Sequence, residues 1–149
     1  MEFSIRQATV ADVPAIIALL ADDDIGATRE APEDRAPYEE SFAAIAGDPN
    51  QLLVVGERGG HIVATMQLTF IPGLSRRGTW RTQIEGVRVA SSARGLGLGE
   101  KLIRWAIERA RERGCALVQL TSDARRQDAH RFYERLGFTA SHTGFKLQL

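Results

Sequence analysis

The stretch over residues 87–102, VRVASSARGLGLGEKL, constrains this chain more than any other. An alternating strand pattern runs into Arg94 and three alternate glycines, Gly95, Gly97 and Gly99, and a helical pattern begins on top of them. Leu98, Leu102, Ile103, Ala106, Ile107 and Ala110 then mark one apolar helix face. A helix N-terminus presents free N–H groups and the positive end of its dipole, which makes it an anion site. Glycines let the backbone approach phosphate oxygens and turn successive amides inward. Arg94 can add charge-assisted hydrogen bonds. The alternative is a glycine-rich strand-to-helix connection that holds no ligand.

Two common phosphate loops do not fit. A Walker A loop needs Gly-Lys-Ser/Thr, and here Glu100 follows Gly99. The dinucleotide fingerprint needs its third glycine where this chain has Glu100.

The rest of the chain reads as alternating elements. Residues 3–8 alternate as a half-buried strand does. Thr9 with Asp12 opens a helix close to a capping box, and Val13, Ile16, Ile17 and Leu20 give it an apolar face. Residues 22–37 are acidic and without period, which predicts a long loop. A weaker helix over 38–46 follows. Strands are expected at Gln51–Arg58 and His61–Ile71 around the hairpin glycines Gly59-Gly60, and at 80–90. Gly114 ends the long helix. Residues 115–121 read as a buried strand, 126–136 as a helix ended by Gly137, and the remainder as two short strands around Thr143-Gly144. An antiparallel meander followed by a βαβ unit predicts a mixed, mostly antiparallel α/β sheet flanked by helices.

At 149 residues, one domain spanning 1–149 is expected. Hydrophobic residues make up 44% and charged ones 26%, which excludes a disordered chain. The single cysteine, Cys115, excludes an internal disulfide and a multi-cysteine zinc site. His61, His130 and His142 have no metal-ligand spacing, so no metal is expected. The N-terminus lacks signal-peptide regions and no apolar run reaches the ~20 residues of a membrane span, so a cytoplasmic location is expected. The net charge of zero hides an asymmetry. Residues 1–75 carry 4 Lys/Arg against 12 Asp/Glu, and residues 76–149 carry 15 against 7. Ligands of opposite sign at the two ends would account for this, as would mutual attraction of the halves or scattered solvated faces. No basic-aromatic pattern points to nucleic acid.

The spacing Arg94-x-x-Gly97-x-Gly99 resembles the R/Q-x-x-G-x-G/A pyrophosphate signature of the GNAT superfamily of N-acetyltransferases. Residues 129–138, AHRFYERLGF, resemble that superfamily's late-helix motif, A-x-x-F/L-Y-E-x-x-G-F. The order of elements is also similar, so the resemblance covers roughly residues 3–149. It implies a GNAT-like (acyl-CoA N-acyltransferase) fold, acetyl-CoA as co-substrate and a small-molecule or peptide amine as acceptor, with a homodimer left open. It further implies that Val87 and Val89 pair their backbone with the pantetheine arm. The amides of Gly95, Leu96, Gly97, Leu98 and Gly99 would hold the pyrophosphate, with Arg94 beside it. Tyr133 would protonate the departing thiolate, or else be a packed aromatic. Many members carry an asparagine where this chain has Arg126. An arginine cannot accept a hydrogen bond, so Arg126 either binds a cofactor phosphate or is a solvated residue.

An amine near pKa 10 is protonated at neutral pH and needs a base. Glu85, in a mostly apolar strand, is the candidate; the alternatives are a salt bridge to Arg81 or Arg88, or plain exposure. Asp22, Asp23 and Asp24 oppose the dipole at a helix end, and either draw in a cationic amine or are solvated. A non-catalytic acyl-CoA-binding or regulatory module with the same fold is the alternative to the enzyme.

Overall fold

Alternating apolar and polar residues build the centre of this chain, seen in a computed structural model that describes all 149 residues, Met1–Leu149. They divide into two units, residues 1–119 and 120–149. A five-stranded sheet runs in the order β1 (Phe3–Gln7), β2 (Gln51–Arg58), β3 (His61–Ile71), β4 (Arg81–Val89) and β5 (Leu117–Leu120). The first three pairings are antiparallel. The β2–β3 hairpin turns on Gly59 and Gly60, with φ of +60° and +79°, as a tight primed turn requires. β5 is reached from β4 through a helix, the crossover that a strand returning in the same direction needs. The fold is the mixed, mostly antiparallel α/β arrangement expected from the sequence.

The helices are α1 (Val13–Ala21), α2 (Asp24–Ala27), α3 (Ala36–Ala46), a helical turn α4 (Ser75–Gly78), α5 (Leu98–Glu112) and α6 (Gln127–Arg135). On one face of the sheet Val54, Met66, Leu68 and Ile84 are fully buried, as are Leu102, Ile103 and Ala106 on α5, which packs against β3 and β4. Burial of side chains of this size contributes about 1.5–3 kcal/mol each. On the other face Val55 packs with Ala8 and Ile16, and Leu20 of α1 and Phe42 of α3 close over it. The outer face of α5 carries Arg104–Glu100 at 3.5 Å and Arg109–Glu112 at 2.9 Å, a solvated row of helical ion pairs.

Before α1, a 3-10 turn over Val10–Asp12 forms where the capping signal predicted a start. Asp12 Oδ2 accepts from the Thr9 N–H at 2.7 Å. Arg6 on β1 donates to both oxygens of Asp12 and to Glu57 on β2, so one guanidinium joins three segments.

Two expectations fail. The loop over 22–37 is not structureless, because Asp23 caps the short helix α2. The two strands around Thr143-Gly144 do not form: no strand follows α6, and residues 138–149 have no ladder partner. Phe145, Leu147 and Leu149 alternate as strand residues do, yet stand exposed. Alternation alone does not make a strand without a neighbour to complete its hydrogen bonds.

Candidate functional site

β4 is irregular where the sequence placed its candidate base. Ile71, Thr69 and Gln67 of β3 face Arg81, Gln83 and Glu85, but the next pairs are Thr65 with Arg88 and Ala64 with Val89. Met66 alone therefore faces two residues, Gly86 and Val87, which is a β-bulge. Gly86 has φ of +61°, a left-handed conformation that a side chain would strain. The bulge interrupts the ladder and turns backbone groups away from β3, so this point of the strand can address a ligand. Glu85 stands exposed beside it and, among the alternatives raised above, is not held in a salt bridge by Arg88, which pairs with Asp23 at 3.7 Å.

The glycine turn follows. β4 ends at Val89, a 3-10 turn spans Ser91–Ala93, and α5 starts after Gly97. Gly97 is the N-cap of this 15-residue helix, with φ of +74° and no side chain to cap the first turn. The first N–H groups of α5 are thus left for another acceptor. A Cβ built on Gly95 or Gly97 would meet no atom within 4 Å, so the turn is open on its outer side. Arg94 is exposed next to it. An uncapped N-terminus of a long helix, an open glycine backbone and an adjacent guanidinium fit a pyrophosphate. Val87 and Val89 lead into this turn along the bulged half of β4.

The acidic end of α1 is built in rather than merely solvated. Asp22 accepts from the Ser91 N–H at 3.3 Å, and Asp23 accepts from the Gly26 N–H as the cap of α2. The negative charges that oppose the dipole of α1 stand at the favourable end of α2. Asp24 lies in the first turn of α2, exposed.

Arg126 and Tyr133 belong to the second unit. Arg126 is the N-cap residue of α6 and its side chain makes no cap bond. Asp123 instead organises this end, pairing with Arg125 at 2.8 Å while its carbonyl lies 2.9 Å from His130 Nε2. Tyr133 is half-buried and meets Phe132 and Phe138 edge-on, with centroids 5.1 and 5.8 Å away. These contacts fix the ring; they fit a packed aromatic, and equally a phenol held for a task.

Two features were missed in the sequence. One is Gly86 as a bulge. Its signal was present: the inward positions Thr82 and Ile84 are followed by a shift of phase in the apolar residues to Val87 and Val89. The other is the row of carboxamides near Glu85. Gln119 on β5 donates to Gln83 Oε1 at 3.0 Å, and Gln67 on β3 donates to Gln51 Oε1 at 2.9 Å.

Comparison with known proteins bears directly on this arrangement. The family model for the acetyltransferase (GNAT) family matches residues 15–138. The aminoalkylphosphonate N-acetyltransferase of Salmonella typhimurium is 32% identical over 95% of this chain and 88% of its own. The L-methionine sulfoximine/L-methionine sulfone acetyltransferase of Pseudomonas paraeruginosa is also 32% identical, over 95% of this chain and 83% of its own. Among solved structures, a Bacillus halodurans C-125 protein named a transcriptional regulator is 48% identical with a TM-score of 0.96, covering 99% of this chain and 100% of that one. With the bulged strand, the glycine turn and the family match together, this chain belongs to the GNAT family of acetyltransferases.

Proposed function

We propose that this enzyme transfers the acetyl group of acetyl-CoA to a primary amine by direct attack. The single observation that carries this reading is the continuity of the bulge at Gly86 with the uncapped glycine turn at Gly95–Gly97–Gly99, in which one strand serves both ends of a long cofactor. The N–H groups of Gly95, Leu96, Gly97, Leu98 and Gly99 hold the pyrophosphate, Arg94 adds charge, and the backbone of Val87 and Val89 pairs with the pantetheine arm. Acetyl-CoA supplies an activated thioester carbonyl. Backbone N–H groups at the bulge polarise that oxygen. Glu85 takes the amine proton through water, the N–C bond forms as the C–S bond breaks, and Tyr133 returns a proton to the thiolate. Arg126 takes a cofactor phosphate in place of the asparagine contact common in the family.

The acceptor is a primary amine. The substrates named for the two relatives, an aminoalkylphosphonate and methionine sulfoximine, are both amines that carry an acidic group. A second reading, a regulatory module that binds acyl-CoA without turnover, is favoured by the name of the 48% identical structure. Thiol release with acetyl-CoA and a panel of amines decides between them. Glu85→Gln should lower kcat about a hundredfold and remove the acidic limb of its pH profile, and Tyr133→Phe should lower kcat while acetyl-CoA still binds. Tight acetyl-CoA binding with no thiol release for any amine would favour the regulatory module, and an unchanged kcat in either variant would remove that residue from the mechanism.

A further inference from the structure

β3 is the middle strand of the sheet, and its two faces differ. Toward α5 it shows Ala64, Met66, Leu68 and Phe70, all buried and apolar. On the opposite face it shows Thr65, Gln67 and Thr69, three polar residues in a row. A polar group at the centre of a sheet is costly unless it is hydrogen-bonded or has a task. Thr65 Oγ1 donates to the Val54 carbonyl at 2.9 Å, and Thr69 Oγ1 donates to Gln51 Oε1 at 3.0 Å. Gln67 Nε2 donates to the same Gln51 oxygen at 2.9 Å. Two donors on one oxygen fix the Gln51 carboxamide, and they turn the Gln67 amide nitrogen toward β2. The oxygen on the other branch of that planar group, Gln67 Oε1, accepts from no protein donor.

Gln67 stands directly opposite Glu85 in the β3–β4 ladder, as the last regular pair before the bulge at Gly86. Side chains paired in this way have Cβ atoms about 5 Å apart on one face. Glu85 is exposed, and Gln67 is half-buried beside it. Gln67 also lines a cavity of about 400 Å³, with Gln51, Asp48 and Ser41, Ala44 and Ile45 of α3. That is room for the body of a small amine.

We infer that Gln67 orients the attacking amine: its Oε1 accepts one N–H of the acceptor nitrogen, while Glu85 takes the other through water. Gln51 and Thr69 are positioning residues that hold Gln67 for this contact. The inference rests on the acetyltransferase reading above and adds to it the group that aims the nucleophile. A neutral primary amine carries two N–H bonds and a lone pair. With one N–H on Gln67 and one on the water of Glu85, the lone pair is left to point at the thioester carbonyl. The nitrogen gains positive charge as the N–C bond forms, so both hydrogen bonds strengthen toward the transition state. The proton leaves through Glu85 as the C–S bond breaks, and Gln67 exchanges none.

Thiol release from acetyl-CoA is measured for wild type, Gln67→Met, Thr69→Val and the double variant, with circular dichroism to establish folding. Ethanolamine, putrescine, glycinamide and 2-aminoethylphosphonate are screened, and the amine that wild type turns over fastest is used throughout. Gln67→Met keeps the length of the side chain without its amide, and should lower kcat/KM for the amine about ten- to a hundredfold. The KM for acetyl-CoA should stay within about twofold of wild type, since Gln67 addresses the acceptor. Thr69→Val should cost about threefold alone and nothing further in Gln67→Met, because it acts through Gln67. An unchanged kcat/KM in folded Gln67→Met overturns the assignment, as do effects of the two substitutions that simply multiply. If Gln67→Met does not fold, Thr69→Val decides, and wild-type kcat/KM in that variant overturns it. No thiol release with any of the amines overturns the acetyltransferase reading together with this one, whereas turnover in wild type that survives both substitutions overturns this one alone.

Discussion

The Asp23 carboxylate lies 3.7 Å from the Arg88 guanidinium while it also accepts from the Gly26 N–H as the cap of α2. One side chain thus joins the acidic end of α1 to the last turn of β4 before the glycine turn. Both groups are about a fifth exposed, at 23% and 21%, so the pair is only partly screened by solvent.

From this arrangement, Asp23→Ala should lower unfolding stability by about 1 kcal/mol, mainly through loss of the cap. Asp23→Asn keeps a capping oxygen and should recover more than half of that. Thermal denaturation of the two variants at equal salt separates the roles. If Asn is as damaging as Ala, the charge pair with Arg88 is the larger contribution and the capping account is wrong.

A second consequence concerns acid stability. Arg6, donating to both oxygens of Asp12, holds that carboxyl down at about 2; burial works in the other direction and the Thr9 N–H helps Arg6. A carboxyl depressed in the fold contributes stability above its unfolded value near 3.9, and that contribution is lost as pH falls toward 2. Wild type should therefore lose about 2 kcal/mol from this group between roughly pH 4 and 2. Asp12→Asn should be less stable at pH 7 and show a flatter curve across that window. Denaturant melts at pH 7, 4 and 2.5 read this directly, and parallel curves would show that Asp12 is not the group responsible.

The bulge gives a third. Gly86→Ala places a side chain at φ of +61°, which should cost about 1 kcal/mol. It should also lower kcat by more than tenfold, because the backbone at the bulge shifts. Gly60→Ala, at φ of +79° in the β2–β3 hairpin, is the control: it carries a similar strain without touching the site. Equal effects of the two variants on kcat would mean that strain alone, and not the bulge, matters.

Much of this was readable in the residues. The glycine turn, the Gly59-Gly60 hairpin and the apolar face of α5 each depend on contacts close in sequence, where residue type dictates backbone geometry directly. β2 and β3 fall where alternation puts them. The bulge escaped because Gly86 was read as one more strand residue, although the shift from Thr82 and Ile84 to Val87 and Val89 marks it. The contacts of Asp22 with Ser91 and of Asp23 with Arg88 escaped because these partners are more than 60 residues away. No local rule reports such a contact. The expected strands around Thr143-Gly144 failed for a related reason: pairing is a property of two segments, and alternation in one of them states only half of it.

The central claim is that the turn at Gly97 holds the pyrophosphate of acetyl-CoA, and a calorimetric titration tests it most directly. Acetyl-CoA is titrated into wild type, Gly97→Glu and Gly97→Asn, with circular dichroism to establish folding. Asparagine tolerates the left-handed conformation that Gly97 adopts at φ of +74°, whereas glutamate places a negative charge at the uncapped helix start. The account predicts tight binding in wild type, most of it kept in Gly97→Asn and at least about a hundredfold lost in folded Gly97→Glu. Binding that is equally tight in folded Gly97→Glu, or absent from wild type, would contradict it.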